Sequence, residues 1–231
     1  MSSYSSGQSI PIGPDDDDAE PGIASGPDSR DTALRLLDAA DEVFAESGFA
    51  GATTAAIAER AGVTKALVHY YYRNKETLHR AVLERYKDRV SSLLLEDLDR
   101  RAPEDALTVC IRRYCSFLAR HPRYVRLIQY NALEDTCELS KLPMFRRLIE
   151  ETTAALERGM RLGVFRQIDA RRLLVSIDAL CSYYFEHEKE IRKLWDLDAN
   201  DHDHSVNDHI EHVIELLMHA ICTNHVVRGD R

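Results

Sequence analysis

The stretch from Thr54 to Tyr72 (TAAIAERAGVTKALVHYYY) gathers hydroxyls, a cation and polar-tipped aromatics at spacings that suit contact with a nucleic-acid duplex. Lys65 heads a candidate helix, where an ammonium reaches a guanine edge or a phosphate. His69, Tyr70 and Tyr71 follow about one turn later, with polar tips for backbone or bases. Thr53 and Thr54 open the preceding helix, where hydroxyls and unbonded N–H groups hold phosphate oxygens. Catalytic chemistry is not legible. No Ser/His/Asp or Cys/His arrangement has a recognisable local context, and neither a P-loop nor GxGxxG occurs. Glu186, His187 and Glu188 read as a polar helix face. No catalytic residue, resident metal or cofactor is expected.

Two short helices crossing steeply need a small residue where they touch, and Ala58 supplies it. Gly62 stands where the tight turn calls for positive φ. Ile57, Val63 and Val68 are spaced to share a small core, and Thr64 can cap the second helix with its hydroxyl. These features together, behind an amphipathic support helix, make a helix-turn-helix.

That support helix is expected over about 31–47, with Ala33, Leu36, Leu37, Ala40, Val43 and Phe44 on one face and Gly48 as its C-cap. A helix begins near Thr54 and ends at Ala61–Gly62. The next spans Lys65 to Tyr72, and a fourth runs from Lys75 towards Asp99. Further helices fit 103–119, 122–134, 141–161, 169–193 and 205–224, with breaks at Pro103, Pro122, Pro143, Gly163 and the 196–204 stretch. No β-alternating run and no internal repeat appear. The reading is all-α, with about nine helices.

Composition bounds the rest. The 231 residues carry a formal charge of −9, of which −6 falls in residues 1–29, a Ser/Gly/Pro/Asp-rich segment without Lys or Arg. Such a segment buries too little apolar surface to offset its ordering entropy and reads as disordered. The remaining near-neutral chain therefore stays open to a nucleic-acid partner, and seven basic against seven acidic residues in 30–80 put the weight on local placement of Lys65, Arg73 and Lys75. Five cysteines without CxxC argue against a disulfide framework, and no apolar run approaches the ~20 residues of a membrane helix. A cytoplasmic protein is expected.

Thr53 to Ala58 (TTAAIA), Ala61 to Lys65 (AGVTK), the tyrosines at 70–72 and Asn74 to Leu78 (NKETL) together closely resemble the TetR family of bacterial transcriptional regulators. Beyond residues 30–80 the likeness is generic: the helix count fits, and Gly163 to Asp169 resembles a turn seen before the last two helices in many members. The resemblance implies a homodimer on a double-stranded operator, released by a small-molecule effector. It implies an N-terminal three-helix DNA-binding domain over 30–90 and a C-terminal helical domain for effector binding and dimerisation over 91–231. It makes Thr53, Thr54, Thr64, Lys65, Ala66, Leu67, His69, Tyr70, Tyr71 and Lys75 the DNA-contacting set, with Lys75 as a phosphate contact and Tyr72 as the aromatic anchor. The chain departs from the common Gly-Thr-Leu-Tyr at Ala66–His69, so a base contact at Leu67 is apolar, for instance to a thymine methyl.

In the C-terminal part, Leu173, Ile177, Leu180 and Tyr184 form one stripe, and Val206, Ile210, Val213, Leu217 and Ala220 another. These suit half of an intermolecular four-helix bundle, although an ordinary internal core satisfies them equally. Leu173, Ile177, Leu180, Val206, Ile210, Val213 and Leu217 are accordingly the expected dimer interface. Tyr114, Phe117, Phe145 and Tyr184 are the expected effector pocket, suited to an aromatic or otherwise apolar ligand. Asp201 to His204, with His209 and His212, admit a metal-responsive variant, but adjacent ligands in a loop seldom impose geometry. A helical binding or enzyme-like domain, with a helix-turn-helix serving only packing, is the other alternative.

Overall fold

The computed structural model describes residues 27–135, 137–196 and 202–223. Residues 1–26 of the acidic segment, and Asp201, lie outside them, whereas its last three residues, 27–29, belong to a helix and not to the disordered segment expected over 1–29. Ten α-helices follow in order: α1 Pro27–Gly51, α2 Thr54–Arg60, α3 Lys65–Tyr72, α4 Lys75–Leu95, α5 Pro103–Arg120, α6 Pro122–Glu134, α7 Pro143–Arg161, α8 Ala170–Glu186, α9 Glu188–Leu194 and α10 His202–Ile221, with a 3-10 turn at Leu139–Lys141. The only extended pairing among the described residues is an isolated bridge between Phe165 and Cys222. No helix among them is long and apolar enough to cross a membrane.

Local chemistry starts most of these helices. Thr53 caps α2 by accepting from the Ala56 N–H at 3.1 Å, Asn74 caps α4 through the Thr77 N–H at 2.7 Å, and Asp169 caps α8 through Arg171 and Arg172. α5, α6 and α7 each begin with proline, whose missing N–H is no loss in the first turn. Gly48 has φ 70° and ψ 178°, a conformation that bends α1 rather than ending it: a further helical turn continues to Gly51.

Tertiary contacts set several boundaries differently from the sequence reading. α4 stops at Leu95 rather than near Asp99. Arg113 donates to the carbonyls of Leu93 and Glu96 at 3.1 and 2.6 Å, and Arg158 donates to those of Leu98, Asp99 and Arg101 at 3.1, 2.7 and 3.1 Å. Guanidiniums from α5 and α7 thus satisfy the carbonyls that a longer helix would have bonded. The expected helix over 169–193 is two, broken at His187, whose ring stacks on Tyr183 with centroids 4.2 Å apart.

One hydrophobic core runs through the chain, from Leu36, Phe44 and Ile57 through Leu83 and Tyr124 to Ile177 and Leu217. α1 packs on α2, α4 and α6, α4 packs on α7, and α8 lies among α5, α6, α7 and α10. The turn after α7 is pinned to the end of α10: Arg166 N–H donates to Ile221 O at 2.7 Å, and Thr223 N–H to Val164 O at 3.0 Å. That pinning drives the Phe165 ring against Gly159, where an added Cβ would lie 2.3 Å from the ring. Gly159→Ala should therefore cost about 1–3 kcal/mol through overpacking, despite alanine's better helix propensity. Urea unfolding measures it, and an unchanged or raised midpoint would show that the ring moves freely.

Candidate nucleic-acid interface

The helix-turn-helix is built as its residues dictate. Ile57 and Val68 are fully buried, Ala58 nearly so, and Val63 packs against them. Gly62 has φ 65°, and the Val63 N–H bonds back to Ala58 O at 2.9 Å, closing the turn. The Tyr72 hydroxyl donates to Ala33 O at 2.9 Å, which fastens α3 to α1 by the expected aromatic anchor.

With Val68 and Tyr72 turned inward, α3 presents Lys65, Ala66, His69, Tyr70 and Arg73 to solvent, while Leu67 and Tyr71 flank that face half-buried. The rings of Tyr70 and Tyr71 meet edge to face at 5.0 Å. Thr53, exposed, and Thr54, half-buried, sit beside α3 at the start of α2. Together these groups make a solvent-facing strip bearing one ammonium, one guanidinium, hydroxyls and an imidazole. Those are the groups that pair with base edges and phosphates in a major groove.

One sequence expectation needs correction in detail, and two expected contact residues also have partners within the chain. The exposed Thr64 stands at the N-cap of α3, but its side chain makes no capping hydrogen bond. Lys75 is committed inside the protein: its ammonium donates to Phe49 O at 2.8 Å and Ala52 O at 3.0 Å and lies 4.3 Å from the Phe49 ring centroid. It neutralises the carbonyl end of α1, which leaves one of its three donors for a phosphate. His69 Nδ1 is engaged by Arg73 O at 2.9 Å, so Nε2 is the ring nitrogen left for a further partner. Arg73 itself, at φ 59°, forms the sharp exit from α3 and is exposed, one of the three cations on whose placement the sequence put the weight.

The strip is coupled to the rest of the chain through α1. Buried Asp41 accepts from the Tyr86 hydroxyl of α4 at 2.8 Å and lies 3.5 Å from Arg85 and 3.7 Å from Arg123 of α6. Glu134, at the end of α6, accepts from the Phe49 and Ala50 N–H groups at 2.8 and 3.3 Å, just past the Gly48 bend. His79 of α4 is buried against the rings of Phe44 and Phe49, at 4.8 and 5.1 Å, and burial holds its pKa down to about 4. α4 and α6 are thus both joined to α1, the helix that supports α2 and α3.

The C-terminal expectations fare unevenly. Leu173, Ile177, Val206, Ile210, Val213 and Leu217 are buried within the single chain, and Leu180 is half-buried. They form its own core, because α8 and α10 pack against each other and α5 along those stripes. The opposite faces are the open ones: Val175 is 70% exposed, Tyr183 60% and Leu216 46%. Ala179 and Ala220 are exposed beside them. A second apolar stripe at 175, 179 and 183 was visible in the sequence as a helix apolar on two sides.

Of the expected pocket residues, Phe117 meets Tyr124 with centroids 5.5 Å apart, Phe145 covers the ammonium of Lys87 at 4.2 Å, and Tyr114 donates to Asp178 at 2.8 Å. Tyr184 instead stacks on His209 of α10 at 4.6 Å. The late histidines are individually engaged: His202 with Glu188 at 2.7 Å, His204 with Asp208 at 3.4 Å and His219 with Glu215 O at 2.8 Å. Among the described residues no group of three or more His, Cys, Asp or Glu is placed to hold a metal ion.

Comparison with known proteins agrees with this geometry. Residues 36–82 match the family described as bacterial regulatory proteins of the tetR family, and residues 103–217 match the tetracyclin repressor-like C-terminal domain. The chain is 31% identical over 158 residues to the HTH-type transcriptional repressor SCO4008 of Streptomyces coelicolor, covering 68% of this chain and 79% of that protein. It is 27% identical over 176 residues to the HTH-type transcriptional repressor NicS of Pseudomonas putida, covering 74% and 83%. The crystal structure of SCO4942 from Streptomyces coelicolor superposes with a TM-score of 0.66 at 27% identity, over 82% of this chain and 98% of that one.

Proposed function

Because the chain belongs to the TetR family of bacterial transcriptional regulators, we propose that it acts as a homodimeric cytoplasmic repressor, released from a palindromic operator by a small-molecule effector. Family membership makes it a DNA-binding transcriptional regulator, of a family whose members are typically non-enzymatic. The observation that carries the reading is the solvent-facing strip of α3 held rigidly by Val68 and Tyr72. In the dimer, the exposed apolar faces of α8 and α10 pair with their copies, and each subunit offers one strip to one half-site. The effector sits among α4 to α8 and shifts α4, whose 21 residues span about 30 Å and reach from the DNA-binding helices into the C-terminal body. A few ångströms of misfit between the two strips then breaks simultaneous engagement.

Selection of bound sequences from a random duplex library tests this, since the recovered palindrome reports both bases read and half-site spacing. On the selected operator, Lys65→Ala or Tyr70→Ala should weaken binding by about 1–3 kcal/mol, roughly 5- to 150-fold, with unfolding unchanged. Unchanged affinity in both variants would remove them from the interface. Absence of any enriched sequence would sink the regulator reading itself.

A further inference from the structure

Lys87 lies on the inward face of α4, flanked by Leu83 and Val90, and is only 7% exposed. Its ammonium points at two rings, 4.2 Å from the Phe145 centroid and 5.5 Å from that of Tyr124. Among the described residues it makes no hydrogen bond and no ion pair. The carboxylate that acts on it electrostatically, Asp178, is held by the Tyr114 hydroxyl at 2.8 Å. One turn further along the same helix face, Ser91 is wholly buried and its hydroxyl has no partner. Helical hydroxyls ordinarily bond the carbonyl four residues back, as Thr152 and Ser176 do in this chain. Ser91 does not.

Buried polar groups are almost always satisfied, so a wholly buried hydroxyl without a partner, one turn from an ammonium held against two rings, needs an explanation. We propose that Lys87 and Ser91 anchor an aromatic monocarboxylate, whose two oxygens accept from the ammonium and the hydroxyl while its ring lies among Tyr114, Tyr124 and Phe145. This rests on the effector reading above and gives it a chemical class. One cation with an acidic neighbour suits a single negative charge and disfavours a phosphate dianion. Burial lowers the Lys87 pKa to about 8, so the group is still mostly protonated at neutral pH. A separate surface cleft of about 630 Å³ lies between α4 and α7, lined by Ser92, Leu93 and Met144 among others and by neither Lys87 nor Ser91. Phe145, half-buried, is the side chain that must turn aside to admit the ligand.

The test uses the full chain with benzoate, phenylacetate and indole-3-acetate at up to 10 mM, each beside its amide. Thermal unfolding and release of the selected operator are the readouts. At least one carboxylate should raise the unfolding midpoint and release the operator, and its amide should bind at least tenfold more weakly. Lys87→Met should reduce carboxylate affinity at least tenfold and Ser91→Ala about threefold, both keeping operator affinity within twofold. Lys87→Met should also unfold at a higher temperature without ligand, since it removes a charge whose desolvation outweighs the pull of Asp178. No response to any carboxylate, equal binding of the amides, or an undiminished response in Lys87→Met would overturn the proposal. In each of those cases retained operator binding leaves the regulator reading intact, whereas loss of operator binding by the wild type would strike that reading alone. If Lys87→Met fails to fold, Ser91→Ala and the carboxylate–amide contrast on the wild type still decide.

Discussion

Replacing Val175 and Leu216 together by Arg should yield a folded monomer whose operator affinity is at least ~100-fold below that of the wild type. Both side chains are open to solvent in the single chain, so a charge there costs the fold little. In a dimer the same charges would be buried face to face without partners. Loss of the second subunit removes the linkage between half-sites, and linked binding exceeds single-site binding by about 10²–10⁴. Ile177→Arg or Val213→Arg behaves differently: those residues are 8% and 1% exposed in the chain's own core, so a charge there unfolds the protein before it can report on assembly. Sedimentation equilibrium beside an operator titration separates the cases. A double Arg variant that sediments as an intact dimer would move the interface off these faces.

Acidification should destabilise the protein well before its carboxylates titrate, because of His79. Its folded pKa of about 4 lies below the unfolded value of 6.5, chiefly through burial, with Lys75 opposing and Glu134 favouring protonation. Below pH 6.5 the unfolded chain therefore takes up a proton that the folded one refuses until about pH 4. The contribution of His79 is fully present above pH 6.5 and is lost progressively between there and pH 4, at a cost on the order of 3 kcal/mol. Burial also lowers the pKa of His121 and His209, which add in the same direction. His79→Leu, neutral at every pH, should flatten the fall in urea midpoint between pH 7 and 4.5 by about half or more. Parallel curves for variant and wild type would assign the acid sensitivity to other groups. Since His79 packs on Phe44 and Phe49 beside the Gly48 bend, operator affinity should fall over the same pH interval.

The helix-turn-helix was legible to within one or two residues. Thr54–Arg60 and Lys65–Tyr72 begin and end close to where Thr53, Gly62 and the apolar spacing put them, because caps, turn conformations and a 3.6-residue period act within a few residues of chain. The prolines at 103, 122 and 143 set three more starts for the same reason. What lay beyond reach came from residues distant in sequence. α4 ends where Arg113 and Arg158 supply donors from α5 and α7, and Lys75 turns inward because α1 brings the carbonyls of Phe49 and Ala52 to it. α8 carries two apolar stripes, at 173, 177 and 181 and at 175, 179 and 183; periodicity gives both and ranks neither. Only packing against α5 and α10 decided that the first faces the core and the second solvent. Lys87 reads in the sequence as one cation among many on a long helix. Its lack of a partner arises where α4 meets the rings of α6 and α7, and local chain chemistry carries no record of that meeting.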